Sequence, residues 1–299
     1  MPTTRVALLG ADGSLGRAML SALIAHNFTV TVLKRASSTS PSPYPPSVTV
    51  THLPEDFPLD QTTSALTGHD ALITTIKGSQ TELLSRLADA AVAAKLQRFI
   101  PADFGSCDSS SARAQQLVPL FKHKTDLRSY LSELSAKHEA FSWTSLVCGH
   151  FFDADLDFMH VDLKNKSMDI LDDGSVKASA STLVQVSEAA CRVLERPGVT
   201  ADRVLFVHSF CVDQIQVLRA YERVTGVEWG VRWLESGRYE EEEVKRRDQG
   251  SKEAVENLVW FLGNVEGDWT QREEFAMGLL GLEEEGLDEV VGRIVREQG

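Results

Sequence analysis

Val6-Ala-Leu-Leu-Gly10-Ala-Asp-Gly13-Ser14-Leu15-Gly16 is an apolar run that passes through three evenly spaced glycines into an amphipathic stretch near Leu15–His26. Each glycine has its own physical reason to be there. Gly10 permits a tight strand-to-helix turn, Gly13 lets the backbone approach a pyrophosphate, and Gly16 lets the helix pack closely on its sheet. A helix that begins at such a turn offers the amides of Ser14, Leu15 and Gly16, and a partial positive charge, to an anion. The segment commits the N-terminal half to a βαβ unit that can hold a dinucleotide.

The chain beyond this turn keeps to the same pattern. Strand-like runs at Val6–Leu9, Phe28–Leu33, Val48–His52, Ala71–Thr75, Arg98–Ile100 and Phe141–Val147 alternate with helix-like stretches near Leu15–His26, Gln80–Lys95 and Ala114–Lys137. Such alternation predicts an α/β protein, a Rossmann-type doubly wound parallel sheet with a smaller C-terminal α/β substrate lobe. The division expected is 1–150 for the NAD(P)-binding domain and 151–299 for the substrate lobe, interwoven through a strand near 203–209. Ser37–Ser47 reads as a surface loop and Ser106–Ala114 as a soft segment after the fifth strand. Past residue 150 the pattern gives a turn at Asp172–Gly174, a helix over Thr182–Glu195, a strand at Val204–His208 and three further helix-like stretches, the last acidic.

Composition narrows the function classes. The formal charge is −13, much of it in the last third, including Glu240–Glu243 and Glu283–Glu285. Such a surface repels nucleic acid and anionic membrane, and the acidic runs read as a solvated helical face. No apolar run approaches the roughly 20 residues that cross a bilayer. Cys107, Cys148, Cys191 and Cys211 lack metal-ligand spacing. With no leader pattern at the N-terminus, free thiols and a cytoplasmic location are expected, with no metal site.

At the end of the second strand, Lys34 and Arg35 stand where a site for NAD usually carries an acid for the ribose 2′-hydroxyl. Two cations suit a 2′-phosphate instead, and arginine can bind it bidentately. NADPH/NADP+ is therefore the expected cofactor. Asp12, inside the glycine turn, adds repulsion toward phosphate.

The Tyr-x-x-x-Lys pair of classical short-chain dehydrogenases is absent, since none of Tyr44, Tyr130, Tyr221 and Tyr239 has lysine four positions on. A different lysine draws notice. Leu117, Leu120, Phe121, Leu127, Leu131 and Leu134 form one stripe at helical spacing, with Lys124 on it and Lys122 and Asp126 off it. An inward lysine must be paired, snorkel to water or give up its proton cheaply, and beside a cofactor the last makes a general acid or base.

Several segments in order carry a resemblance. Lys124-Thr-Asp-Leu-Arg128-Ser-Tyr-Leu131, Arg98-Phe-Ile-Pro-Ala-Asp-Phe-Gly105, Ala71-Leu-Ile-Thr-Thr-Ile with Gln80, Asp172–Leu183 and Thr225-Gly-Val-Glu-Trp229 resemble the NmrA-like, isoflavone-reductase-like family of atypical short-chain dehydrogenases, as does the G-x-x-G-x-x-G spacing. The resemblance implies an NADPH-dependent reductase of a small aromatic or conjugated substrate of the secondary-metabolite type, active as a monomer or homodimer. Gly10, Gly13 and Gly16 would hold the pyrophosphate and Arg35 the 2′-phosphate. Thr75, Ile76 and Phe104 would lie near the ribose and nicotinamide, and Lys124 would be the catalytic lysine. Arg128 would be structural. Ala102-Asp103-Phe104-Gly105 stands where plant members read S-E-F-G, and no role is carried over to its shortened acid. Val147-Cys-Gly-His150-Phe151-Phe152 ends the sixth strand, so His150 and Phe151 are expected to line a substrate pocket, with His150 either a second proton donor near neutrality or a hydrogen-bonded structural residue. The alternative from another class is an NmrA-like redox-sensing regulator that binds NAD(P) without turning it over. A third reading keeps an enzyme but makes the reaction an isomerisation or dehydration.

Overall fold

Strand β1 (Arg5–Leu9) is buried along Val6, Ala7, Leu8 and Leu9, the mark of a strand covered on both faces. In the computed structural model, which describes residues 3–40 and 43–299, β1 lies inside a seven-stranded sheet, with neighbours on both sides. Chain order continues through α1 (Ser14–Ala25), β2 (Thr29–Arg35), β3 (Thr49–Leu53), α2 (Leu59–Leu66), β4 (Ala71–Thr74), α3 (Thr81–Ala93), β5 (Arg98–Ile100), α4 (Ala112–Leu117), α5 (Pro119–Lys137) and β6 (Ser142–Val147). Then follow β7 (His150–Phe151), β8 (Val161–Asp162), β9 (Ser167–Leu171), β10 (Lys177–Ser181), α6 (Leu183–Glu195), α7 (Pro197–Thr200), β11 (Arg203–Phe206) and β12 (Phe210–Asp213). The chain ends with α8 (Gln214–Thr225), β13 (Gly230–Leu234), α9 (Ser236–Asp248), α10 (Lys252–Val265), α11 (Met277–Leu280) and α12 (Leu287–Gln298).

The sheet order is β11-β6-β5-β4-β1-β2-β3, with every pairing from β6 to β3 parallel. From β1 the strands run outward one way to β3 and from β4 the other way to β6. The order therefore reverses between β1 and β4, and such a switch point is where an open α/β sheet binds its ligand. The expected Rossmann-type architecture is present. The Ser37–Ser47 loop joins β2 to β3, and its positions 41–42 lie outside the described residues, as do positions 1–2.

Two compact units form, each discontinuous. The first is Met1–Phe104, Leu120–Leu146 and Val186–Leu205, and the second is Gly105–Pro119, Val147–Gln185 and Phe206–Gly299. A single cut at 150 does not describe this. The first unit draws most of α5, β6, α6 and β11 from beyond residue 104, so the chain returns to it twice. The first unit's core joins Leu33, Leu72, Leu87, Phe99, Leu127 and Leu131. The second has two three-stranded sheets, β12-β10-β7 and β13-β9-β8, around Phe152, Ile170, Phe210, Tyr221, Trp229 and Ile294.

Two expectations need correction. The helix read as one over Ala114–Lys137 is two, because Val118 is extended (φ −132°, ψ 101°) before Pro119. Proline drives its preceding residue out of the helical region and is itself well placed at a helix start. The acidic runs are not simply a solvated helical face. Glu243 on α9 is buried with Arg246 and Asn257. Glu283–Glu285 lies outside any helix, where Glu285 accepts hydrogen bonds from Thr182 and Ser209 and Glu284 meets the buried His208 at 3.0 Å. Among the described residues no helix is long and apolar enough to cross a membrane.

His26, the residue capping the end of α1, meets Glu195 through Nδ1 at 2.6 Å and Glu188 through Nε2 at 2.8 Å. Burial works against its charge, but the two glutamates outweigh it and raise its pKa above 6.5. A raised folded value stabilises below the unfolded pKa and is lost as pH rises through the folded one. His26→Gln should therefore lower the melting temperature clearly at about pH 6 and much less at about pH 9. Equal losses at both would remove the imidazolium from the account.

Candidate functional site

At the head of α1 the backbone itself explains two of the three glycines. Gly10 has φ +99°, and a Cβ there would lie 2.7 Å from Thr75 Oγ1, while a Cβ on Gly16 would lie 2.0 Å from Gly10 O. Gly13 differs, since a Cβ would meet nothing nearer than Gly10 O at 3.5 Å. Internal crowding does not dictate glycine there. No side chain caps α1 and its first turn carries no acid, so the amides of Ser14, Leu15 and Gly16 begin the helix without a built-in anion. Thr75 N donates to Leu9 O at 2.8 Å, fixing the loop after β4 to the same turn. These features fit a bound pyrophosphate.

A cleft of about 190 Å³ adjoins the turn, lined in part by Gly10, Asp12, Lys34, Arg35, Glu55 and Ile76. Strand alternation separates the two cations at the end of β2. Lys34 points inward, its side chain 9% exposed, with Nζ 2.8 Å from Asp12 Oδ2 and donating to Ser40 O at 3.1 Å. Tyr44 Oη donates to Asp12 Oδ1 at 2.6 Å. Burial opposes the ammonium, but Asp12 and Tyr44 beside it raise its pKa. Arg35 is 59% exposed and has Glu55 at 3.9 Å. The two cations read together from the sequence are thus in different situations.

Beyond β5 a buried charge cluster forms. Asp103 is 3% exposed in its side chain, and Arg128 Nε donates to its Oδ2 at 2.6 Å. Lys124, 10% exposed, donates through Nζ to the Asp103 backbone carbonyl and lies 3.6 Å from Asp103 Oδ1. Burial alone would raise the Asp103 carboxyl, but Arg128 and Lys124 hold it below the usual carboxylate range. The inward stripe on α5 is real, with Phe121, Leu127 and Leu131 buried and Lys122 and Asp126 exposed. Gly78 shapes the other side. A Cβ there would sit 2.9 Å from Ala102 O, so glycine lets the loop after β4 pass that carbonyl, and 3.6 Å from Lys124 Cε, an ordinary contact. Phe104, next to Asp103, holds φ +30°, a backbone conformation that side chains rarely adopt and that tends to gather at functional sites. The sequence pointed to Lys124 and Phe104. It gave Arg128 only a structural role and missed Asp103 and Gly78; the signal available was the acid retained in Pro101-Ala-Asp-Phe-Gly105.

In the second unit, His150 is 3% exposed. Its ring occupies the space a Cβ on Gly263 would need, with Nε2 only 2.1 Å from that position, and packs edge-on to Phe158. Burial takes its pKa down to about 4. Of the two readings of His150, this burial favours the structural one over a proton donor near neutrality, because removing the ring from water costs the charged form too much. Phe151 is half-buried.

Comparison with known proteins follows the same lines. The model of the NmrA-like family matches residues 2–259. The chain is 31% identical to "Oxidoreductase aprR" of Aspergillus flavus, over 98% of this chain and 99% of that protein. Among solved structures, AtPrR2 with NADP+ and (+)-pinoresinol superposes with a TM-score of 0.79 at 19% identity, over 98% of this chain and 99% of that one. Isoflavone reductase gives 0.78 at 18% identity, over 97% and 99%. At such identities the structural likeness establishes the fold.

Asp103→Asn would leave the Arg128 guanidinium buried beside a neutral amide, and should destabilise the protein by about 2–4 kcal/mol in denaturant unfolding at neutral pH. Because the folded carboxyl is depressed, the wild-type advantage should be present above about pH 4 and fade as pH falls further. A difference that stays constant down to about pH 2 would show that the carboxylate charge is not its source.

Proposed function

The chain belongs to the NmrA-like family, and on that premise we propose that it is an NADP(H)-dependent oxidoreductase that reduces a small aromatic or conjugated substrate of the secondary-metabolite type. The observation that carries this reading is Lys124: an inward ammonium, held by the Asp103 carbonyl and carboxylate, in the same unit as an uncapped glycine turn. Its relative in Aspergillus flavus bears the name oxidoreductase, and the AtPrR2 complex holds NADP+ and (+)-pinoresinol, which supports the cofactor and the substrate class.

Residue by residue, the chemistry runs as follows. The amides of Ser14, Leu15 and Gly16 hold the pyrophosphate of the dinucleotide, with Gly10 and Gly13 letting the chain come close. Arg35 takes the 2′-phosphate, for which its exposed fork is suited. Thr75, Ile76 and Phe104 border the ribose and nicotinamide. When bound, the reduced cofactor supplies a hydride to an electrophilic carbon of the substrate. Lys124 Nζ–H then faces the substrate oxygen that gains negative charge, stabilises it and gives it a proton. Asp103 and Arg128 keep Nζ in place while this occurs. In the second unit His150, neutral and seated on Gly263, acts as packing.

Lys124→Ala should leave the NADPH dissociation constant within a few-fold of wild type and cut turnover by about 10²-fold, measured as NADPH consumption on carbonyl, enone and benzylic ether substrates. Unchanged turnover in this variant would remove Lys124 from the chemistry. Arg35→Ala should weaken NADPH by about 1.5–3 kcal/mol and leave NADH nearly untouched. Equal losses for both nucleotides would mean that Arg35 does not meet the 2′-phosphate.

A further inference from the structure

Resting on the reading that a dinucleotide binds at the glycine turn, we propose that Asp12 sets how strongly this site prefers a 2′-phosphorylated nucleotide, with Lys34 as its counter-ion and not the phosphate ligand. Asp12 projects from the turn into the cleft that Arg35 and Glu55 also line. Its Oδ2 lies 2.8 Å from Lys34 Nζ and its Oδ1 accepts the Tyr44 hydroxyl at 2.6 Å. Lys34 is held from a second side as well, through Ser40 O at 3.1 Å. The cation that the sequence offers for a phosphate is thereby already engaged with a carboxylate.

Charge arithmetic follows from the lining. Asp12, Lys34, Arg35 and Glu55 contribute two negative and two positive charges, a formal sum of zero. A cation paired with a carboxylate exerts little net field on an arriving dianion, because the carboxylate's repulsion offsets the cation's attraction. Arg35, exposed and 3.9 Å from Glu55, is the cation still able to turn toward the phosphate. Asp12 therefore limits a preference that Arg35 creates. Removing the Asp12 charge raises the local sum by one, and removing that of Lys34 lowers it by one.

The test is calorimetric titration of wild type, Asp12→Asn, Lys34→Gln and the double variant with NADPH and with NADH, at low and high salt. Asparagine keeps an oxygen for Tyr44, so shape is preserved. Asp12→Asn should tighten NADPH by about tenfold at low salt and by less at high salt, with NADH within about twofold. Lys34→Gln should weaken NADPH by a similar factor, and the double variant should return near wild type. Asp12→Ser serves as a second removal of the charge should the asparagine variant melt early. The proposal is overturned if Asp12→Asn weakens NADPH or shifts both nucleotides alike. It is equally overturned if Lys34→Gln and the double variant lose NADPH to the same extent, since Lys34 would then be the phosphate ligand. Wild type that binds both nucleotides with no selective effect in these variants sinks this proposal alone. Wild type that binds neither sinks the functional reading with it.

Discussion

One buried carboxylate and two buried cations set the terms for the rest of the first unit. Asp103 cannot ionise away from water without help, and the buried charges of Lys124 and Arg128 need an anionic partner beside them. Together they form a cluster with one surplus positive charge. Arg128 takes the Asp103 carboxylate at 2.6 Å, while Lys124 sits 3.6 Å from it and is tied to the backbone carbonyl. The arginine bond is the structural member of the cluster. The lysine, held chiefly by the backbone carbonyl, is the member that the proposed reaction uses. Breaking the Arg128 bond would strand a charge in the core that Leu127 and Leu131 complete, so fold and chemistry depend on the same contact.

The sheet brings this cluster and the glycine turn into one unit. Because β1 and β4 are neighbours at which the strand order reverses, the loops after them open on the same end, and Thr75 is hydrogen-bonded to Leu9 between them. Gly78, at the far end of the second loop, approaches both Ala102 and Lys124. The glycine turn and the inward ammonium of α5 therefore belong to one compact unit built on neighbouring parallel strands.

Much of this was legible because it is periodic or local. The continuous apolar runs of the parallel strands, the spacing of Gly10, Gly13 and Gly16, and the stripe carrying Lys124 are read within a few residues of chain. What escaped joins distant segments. The pairings Asp103–Arg128, Asp12–Lys34 and His26–Glu188 have no signature in spacing, because tertiary folding alone brings them together. Helix α2, Leu-Asp-Gln-Thr-Thr-Ser-Ala-Leu, was missed because its threonines and serine dilute the apolar period. The strands β7 and β8, two residues each, are too short to show alternation. Pro119 did announce the break between α4 and α5, but the leucine stripe running across it suggested one helix. Glu283–Glu285 was read from charge alone, which says nothing of the hydroxyls of Thr182 and Ser209 that receive it.

The central claim is that this unit moves a hydride under the influence of Lys124, and isotope transfer tests it most directly. Protein, NADPH deuterated at C4 of the nicotinamide, and a panel of carbonyl, enone and benzylic ether compounds would be incubated and the products weighed by mass spectrometry. The account predicts one deuterium on the carbon next to the oxygen, or conjugated with it, in at least one product, and loss of that product with Lys124→Ala. Saturable NADPH binding with no label transferred to any compound would contradict it, and would leave a protein that senses the cofactor without using it.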